Sequence, residues 1–247
     1  MGFEILGVVD LRHGLAVRAR GGRRDSYAPI GSLAGRSITP GDATALAREY
    51  VDRFGLSSLY VADLDAIEHR TPQYAAVRQI AAVDVTVWLD AAIASLDDAQ
   101  RALACGASRV IVGLETLSSF EVLKSIVSAV GHEAVVFSLD LRDGEPIATT
   151  STLAQQSPED LATRAADAGV SAIIVLDLAR VGMASGVDID LVARLRIRLG
   201  SVQLYVGGGV RGAHDFEVVR NVGCDGALVA SALLDGQITK RDLAFAL

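Results

Sequence analysis

Short, nearly unbroken apolar runs alternate along this chain with longer stretches in which apolar residues recur every three or four positions. The runs are Ile5–Asp10, Leu59–Asp63, Val85–Leu89, Arg109–Val112, Val135–Asp140, Ala172–Asp177, Gln203–Val206 and Gly226–Val229. Runs of this length without polar alternation are expected of parallel strands covered on both faces. The intervening patterns predict helices over Asp42–Phe54, Leu96–Cys105, Ser118–Val130, Pro158–Ala168, Asp188–Leu199 and Ala213–Val222. Ser95, Ser118 and Ser157 stand where N-caps belong, and Gly55, Gly106, Gly131, Gly169, Gly200 and Gly223 where helices end. Eight strand–helix units with right-handed crossovers close into a (β/α)8 TIM barrel. A length of 247 residues fits one such domain, and no stretch reads as a linker.

The runs also repeat. Val9–Gly14 returns as Leu139–Gly144, each an apolar run ending in aspartate, then a basic residue and a glycine. Leu59–Leu64 resembles Ile173–Leu178, Leu89–Ile93 lines up with Val206–Val210, and Arg109–Gly113 with Ala227–Ala230. The spacing predicts two duplicated half-barrels, approximately residues 1–131 and 132–247.

Composition narrows the function. Hydrophobic residues make up 51% and charged residues 21%, enough apolar material for one large core. No apolar run of membrane-spanning length and no leader pattern occurs, so a cytoplasmic protein without a membrane partner is expected. A net charge of −7 argues against a nucleic-acid partner. Cys105 and Cys224 read as small core residues, and His13, His69, His132 and His214 show no metal-ligand spacing. No cofactor is implied. The only lysines are Lys124, inside a predicted outer helix, and Lys240, near the end, so Schiff-base chemistry at the barrel mouth is not expected. Either a monomer or a small homo-oligomer fits.

In this fold chemistry gathers where strands end and the following loops begin. Asp10, Asp63, Asp65, Asp90, Gly113–Glu115, Asp140, Asp177, Gly207–Gly209 and Ala230–Ser231 lie there. Asp63, Asp65 and Asp177 serve equally well as caps or loop residues. Asp10 and Asp140 differ, because they hold equivalent places in strands 1 and 5, which face each other across an eight-stranded barrel. Two such carboxylates suit general acid/base work, one ionised and one protonated. Gly207-Gly208-Gly209 ends strand 7, and Ala230-Ser231 follows strand 8. Loops at these two strands form the usual phosphate site of the fold, and glycines let backbone amides approach an anion closely. Arg18, Arg20, Arg23 and Arg24 sit in the long loop after strand 1, where arginine suits phosphate or carboxylate contact.

These residues resemble the HisA/HisF family of histidine biosynthesis over the whole chain. The resemblance rests on Asp10–Arg18, Tyr27, Asp140, the Gly207–Arg211 turn and the closing Ala232–Gly236. It is nearer to the isomerase branch, the phosphoribosylformimino-AICAR ribotide isomerases, than to the cyclases. The resemblance implies a TIM barrel of two half-barrels and an Amadori-type aldose–ketose isomerisation. It further implies acid/base aspartates at strand ends and a substrate with two phosphates, one bound in each half. HisA-like homologues are also associated with tetrahydromethanopterin- or methanofuran-linked one-carbon cofactor synthesis.

Four positions depart from the family pattern. The glycine triplet expected after strand 3 is Asp90-Ala91-Ala92, and the turn after strand 4 carries Glu115. Val181 stands where the isomerase has its strand 6 acid. Thr149–Gln155 lacks the stacking tryptophan, and the only tryptophan is Trp88 in strand 3. One phosphate site is therefore expected intact and the other inverted in charge. The leading expectation is an acid/base isomerase or related enzyme for a small singly phosphorylated substrate. Asp10 and Asp140 would be catalytic, Gly207, Gly208, Gly209, Ala230 and Ser231 would hold the phosphate, and Arg18, Arg20, Asp90, Glu115 and Asp177 are candidate substrate contacts. The histidine-pathway isomerase itself, and a non-catalytic barrel that binds a phosphorylated ligand, remain as alternatives.

Overall fold

The computed structural model describes residues 2–246 except Gly22, Arg24 and Asp25, so the proposed contact by Arg24 lies outside the described residues. Eight parallel strands close a barrel: β1 (Glu4–Arg12), β2 (Ser58–Asp63), β3 (Thr86–Asp90), β4 (Arg109–Gly113), β5 (Val135–Arg142), β6 (Ala172–Asp177), β7 (Gln203–Gly207) and β8 (Gly226–Val229). Each strand pairs with its neighbours in chain order, and β8 pairs with β1 to complete the ring. All six residues of β2 and the first seven of β5 are buried. That is why their sequences run apolar without alternation.

Alternation is present in space. Leu6, Tyr60, Trp88, Ile111, Val136, Ala172, Ile174, Tyr205 and Leu228 form the cluster inside the barrel. Their strand neighbours, such as Ile5, Val61, Val87, Val110, Phe137, Ile173 and Leu204, pack outward against the helices. The ring of Trp88 meets Tyr205 edge-on at 4.9 Å between centroids, and the Arg109 guanidinium lies 4.4 Å from its centre. Trp88 is thus an interior packing residue.

Most helices follow the predicted pattern. Ser95 and Ser157 cap their helices, accepting from the amides of Asp98 and Asp160. The cap of Phe120–Val130 is Ser119 and not Ser118, its hydroxyl accepting from the Val122 amide. The expected single helix Asp42–Phe54 divides into an α-helix, Ala43–Glu49, capped by Asp42, and a wider π turn, Tyr50–Phe54, closed by Gly55. Two further helices, Leu64–His69 and Tyr74–Ala81, follow β2. Cys105 and Cys224 are buried free thiols, and burial pushes Cys224 up to about 12. Among the described residues, no helix is long and apolar enough to cross a membrane.

Strands β1 and β5 both run past the barrel rim into hairpins. β1 turns through His13 and Gly14 to pair with Leu15–Arg18, and β5 turns through Asp143 and Gly144 to pair with Glu145–Pro146. Both turns take two successive positive φ angles, 51° and 76° in the first and 54° and 83° in the second. That twist matches the flanking strands, and glycine accommodates it at the second position. The repeated hexapeptides are the rims of these two hairpins.

Candidate active site

Strand register places the site. Asp10 on β1 lies level with Ala62 on β2, and Ala62 with Asp90 on β3. Asp140 on β5 is level with Leu176 on β6, and Leu176 with Gly207 on β7. These positions form the uppermost ring of inward residues, just above Tyr60 and Ser138. They border a cavity of about 830 Å³, mouth included. Its lining holds Asp10, Asp90, Glu115 and Asp140, together with Gly208, Gly209, Ala230 and Ser231. Apolar side chains from several strands, among them Leu64, Leu176, Val181 and Leu228, make its walls, and Tyr27 from the first loop joins them. No lysine, arginine or histidine lines it among the described residues.

Asp140 is buried, and its carboxyl accepts from the Ser138 hydroxyl at 2.6 Å and from the Glu115 amide at 3.1 Å. Burial, with the neighbouring charges of Glu115 and Asp90, nevertheless pushes its pKa well above the ordinary carboxylate value. Removal from water disfavours the charged form more than two hydrogen bonds restore it. Its surroundings therefore favour the protonated form of Asp140. Ser138, two residues before it on the same inward face, is a positioning residue the sequence reading had missed. Its signal was the i, i+2 spacing to Asp140.

Tyr60 is the second missed residue. Its hydroxyl donates to Asp90 at 3.1 Å inside the barrel, and burial with the charges of Asp90 and Asp10 keeps it neutral. Asp90 also accepts from the Ala92 amide at 3.3 Å. Ala91 and Ala92 are buried, so methyl groups fill the turn where an anion would need amides. The exposed Arg70 donates to the Ala92 carbonyl at 2.7 Å, on the outer side of that turn.

The turn after β7 is built differently. Gly208 and Gly209 have φ of 85° and 93°. A Cβ on Gly208 would fall 2.6 Å from the Asp177 carbonyl oxygen, and one on Gly209 would collide with the Gly186 carbonyl. The glycines are thus required by the close passage of the loop after β6 as well as by any ligand. Across from them the Ser231 hydroxyl oxygen is buried and has no hydrogen-bond partner among the described residues. A buried hydroxyl without a partner costs free energy unless a ligand or water supplies one.

Three candidate contacts fall elsewhere. Asp177 is absent from the cavity lining. Its carboxylate accepts from the amides of Asp143 at 3.1 Å, Gly144 at 3.3 Å and Ala179 at 3.0 Å, and pairs with Arg180 at 3.3 Å. It anchors the β5 hairpin to the loop after β6. Asp63 and Asp65 do the matching work in the first half. Asp63 accepts from the Ala66 amide at 3.0 Å and the Gln73 side-chain amide at 2.8 Å, and Asp65 from the His13 amide at 3.0 Å. Arg18 makes a two-pronged pair with Asp235, at 2.8 and 2.6 Å, so its guanidinium already has a carboxylate. Arg18 and Arg20 border a separate outer hollow with Met183 and Gly182. His13 sits exposed on the hairpin tip, outside the cavity. Lys124 and Lys240 are exposed and line no part of it.

The loops after β1 and β6 meet over the mouth. The Gly21 amide donates to the Val181 carbonyl at 2.6 Å. Val181, Gly182 and Ala184 therefore present an apolar roof where a strand 6 carboxylate was absent from the sequence.

Comparison with known proteins agrees with this architecture. An uncharacterized protein of Methanocaldococcus jannaschii is 28% identical over 242 residues, covering 97% of each chain. An isomerase of Thermus thermophilus is 31% identical over 241 residues, covering 97% of each chain. Another from Rubrobacter xylanophilus is 32% identical over 247 residues, covering 98% of this chain and 95% of its own. Both are named as imidazole-4-carboxamide isomerases, and the name carries two 5-phosphoribosyl groups. The family described as histidine biosynthesis protein matches residues 4–239, and the chain belongs to that family.

Proposed function

We propose that this chain is an isomerase-like enzyme that moves protons on a small substrate carrying one phosphate. The observation that carries the reading is the pairing, in one cavity, of a buried carboxyl, Asp140, whose surroundings favour its protonated form, with a half-buried one, Asp10. Asp10 is assigned as the base that takes a proton from the carbon next to a carbonyl or imine. Asp140 is assigned as the acid that delivers a proton to the oxygen or nitrogen as electrons shift toward it. Asp10 then returns its proton to the former carbonyl or imine carbon, while the hydroxyl on the carbon first deprotonated gives its proton back to Asp140 as the new carbonyl forms, so both carboxyls are regenerated and no atom is lost. Ser138 and the Glu115 amide hold Asp140 in place for that transfer. The Ser231 hydroxyl and the turns at Gly208–Gly209 and Ala230–Ser231 are assigned to the phosphate, which would satisfy the orphaned oxygen.

Relatives whose names carry two phosphoribosyl groups favour a second reading, the histidine-pathway isomerase. A second phosphate would then lie by Asp90 and Glu115. A like-charge contact at 4 Å costs about 1 kcal/mol even in bulk water and more beside a protein surface. The single-phosphate reading therefore stands first, in a cytoplasmic setting and, by family association, near one-carbon cofactor synthesis. Two measurements separate the readings. Inorganic phosphate should protect the wild type against thermal unfolding and should not protect Ser231→Ala/Gly209→Ala. The gene should fail to rescue a histidine auxotroph lacking the isomerase. Rescue, with turnover near the roughly 10 s⁻¹ typical of enzymes, would establish the second reading instead.

A further inference from the structure

The turn after β4 reads Gly113-Leu114-Glu115-Thr116, and its Glu115 borders the cavity. A glycine at a strand end with successive amides after it has the look of an anion cradle. Here those amides already have acceptors within the protein. The Leu114 amide donates to the Ser138 carbonyl at 2.9 Å, extending the pairing of Gly113 with Ser138 one residue past the strand. The Glu115 amide donates to Asp140 Oδ2 at 3.1 Å. The amides of Thr116 and Leu117 both donate to the Gly113 carbonyl at 3.0 Å, and the Thr116 hydroxyl joins them at 3.2 Å. An anion arriving at this turn would have to break one of these bonds to gain a donor from it.

Gly113 itself answers to Asp140. Its backbone is not left-handed, so conformation alone does not call for glycine. A Cβ there would lie 2.9 Å from Asp140 Oδ2, with Thr116 Oγ1 next at 3.8 Å. The carboxyl is not free to swing aside, because Oδ1 accepts from the Ser138 hydroxyl at 2.6 Å while Oδ2 accepts from the Glu115 amide. We infer that the turn after β4 holds the acid instead of a substrate anion, and that Gly113 is a positioning residue whose missing side chain makes room for the Asp140 carboxyl. This rests on the assignment of Asp140 as the acid in the reading above and adds what fixes it there.

Two measurements on the protein without substrate test it. The first is a carbon-13 titration of aspartate carboxyl groups, with Asp140→Asn identifying the signal. The titratable groups around Asp140 are Glu115 in the same turn, Asp90 on β3, Asp10 on β1 and Tyr60 on β2. Gly113→Ala, by pushing the carboxyl off the Glu115 amide, and Ser138→Ala each leave those groups in place and take one donor from the ionised carboxylate. Each should raise the Asp140 midpoint by about half to one pH unit, the size of one hydrogen bond. A midpoint that stays or falls in Gly113→Ala would overturn the role of Gly113. The second is a double-mutant cycle by urea unfolding. Gly113→Ala should destabilise the wild type and cost little in an Asp140→Ala background, where no carboxyl meets the new Cβ. If Gly113→Ala alone does not fold, Gly113→Ala/Asp140→Ala should restore the fold. Equal costs in both backgrounds, or failure of the double variant to fold, would overturn the inference. So would movement of the Leu114–Leu117 amide signals when inorganic phosphate is titrated into nitrogen-15-labelled protein. An ordinary carboxylate midpoint for Asp140 in the wild type would instead fell the acid assignment, and this inference with it.

Discussion

Two turns occupy equivalent places in the two halves of the barrel, Asp90-Ala91-Ala92 after β3 and Gly207-Gly208-Gly209 after β7. Both contain a left-handed residue at the third position, with φ of 54° at Ala92 and 93° at Gly209. The backbone agrees at that position but differs at the second, where Gly208 is left-handed with φ of 85° and Ala91 is not; the chemistry differs as well. In the β7 turn the absence of side chains lets the loop after β6 pass close by, and an unpartnered hydroxyl faces the cavity. In the β3 turn two buried methyl groups and a carboxylate bonded to Tyr60 take up the space. A left-handed third position alone does not make an anion site. What decides it is whether amides or carboxylates reach the cavity, and here one half offers each.

The sharpest way to break the comparison is at the acid. Asp140→Asn should lower kcat on the substrate by about 10²–10⁴, the usual contribution of a general acid or base. Asp10→Asn should lower it as much, with both proteins folded by circular dichroism. If Asp90→Asn costs the same factor while Asp140→Asn costs little, the acid has been assigned to the wrong carboxylate. The same variant tests the protonation state through stability. The folded pKa of Asp140 lies above its ordinary value of 3.8, so between the two the native protein holds more protons than the unfolded chain. Wild-type stability should then fall as pH rises through that window and level off above the folded pKa. Asn does not titrate, so the stability of Asp140→Asn relative to wild type should climb across the same window. Denaturant melts over a pH series read this directly, and a flat difference would mean Asp140 is ionised in the fold.

Next in size is the β7 turn. Gly209→Ala puts a side chain at φ 93° and drives its Cβ into the Gly186 carbonyl. Backbone strain of this kind costs about 1–3 kcal/mol before the collision is counted. Urea unfolding should show at least that loss, and protection by phosphate should vanish. Retained stability would mean that the loop after β6 yields freely, which would weaken the claim that the glycines are needed for its passage.

A loop anchor should matter less than a strained turn. Asp177→Ala leaves the amides of Asp143, Gly144 and Ala179 without their shared acceptor. An unsatisfied buried donor costs about 1–3 kcal/mol, and water reaching these rim positions keeps the sum toward the lower part of that range. Asp63→Ala, its counterpart after β2, should cost a similar amount in a denaturation series. A large fall in kcat for Asp177→Ala at unchanged stability would return Asp177 to the substrate contacts.

The strands were legible within a residue or two, because burial on both faces writes an unbroken apolar run. For the same reason the inward face was not legible. Nothing in the run holding Tyr60 marks it as facing the barrel axis, and Ser138 carries only its i, i+2 spacing to Asp140 as a signal. The carboxylate pair was legible through the repeat, but its environment was not. The raised pKa of Asp140 comes first from burial and then from Glu115 and Asp90, which belong to other strands' ends. The pairing of Arg18 was not legible because its partner, Asp235, sits at the opposite end of the chain. For Asp177 both readings stayed open in the sequence, because a strand-end aspartate looks alike whether it points into the cavity or gathers amides behind it. The doubled serine at 118 and 119 shows the finest limit, since either could cap and only backbone geometry chooses.

The smallest expected effect tests the one left-handed position the two turns share. Ala92 has φ of 54°, where a Cβ costs about 1–2 kcal/mol relative to glycine. Ala92→Gly relieves that strain, but it loosens the unfolded chain by about 0.4–1 kcal/mol and removes one buried methyl group. The opposing terms nearly cancel, so stability should change by less than about 1 kcal/mol, in contrast to the clear loss for Gly209→Ala. Phosphate affinity should not change, because Asp90 and Glu115 still face that turn. A new phosphate site in Ala92→Gly, seen as doubled stoichiometry in calorimetry, would mean the methyl group and not the carboxylates closes the first half to anions. Unaltered stoichiometry with near-wild-type melting would place the difference between the two halves in their charges.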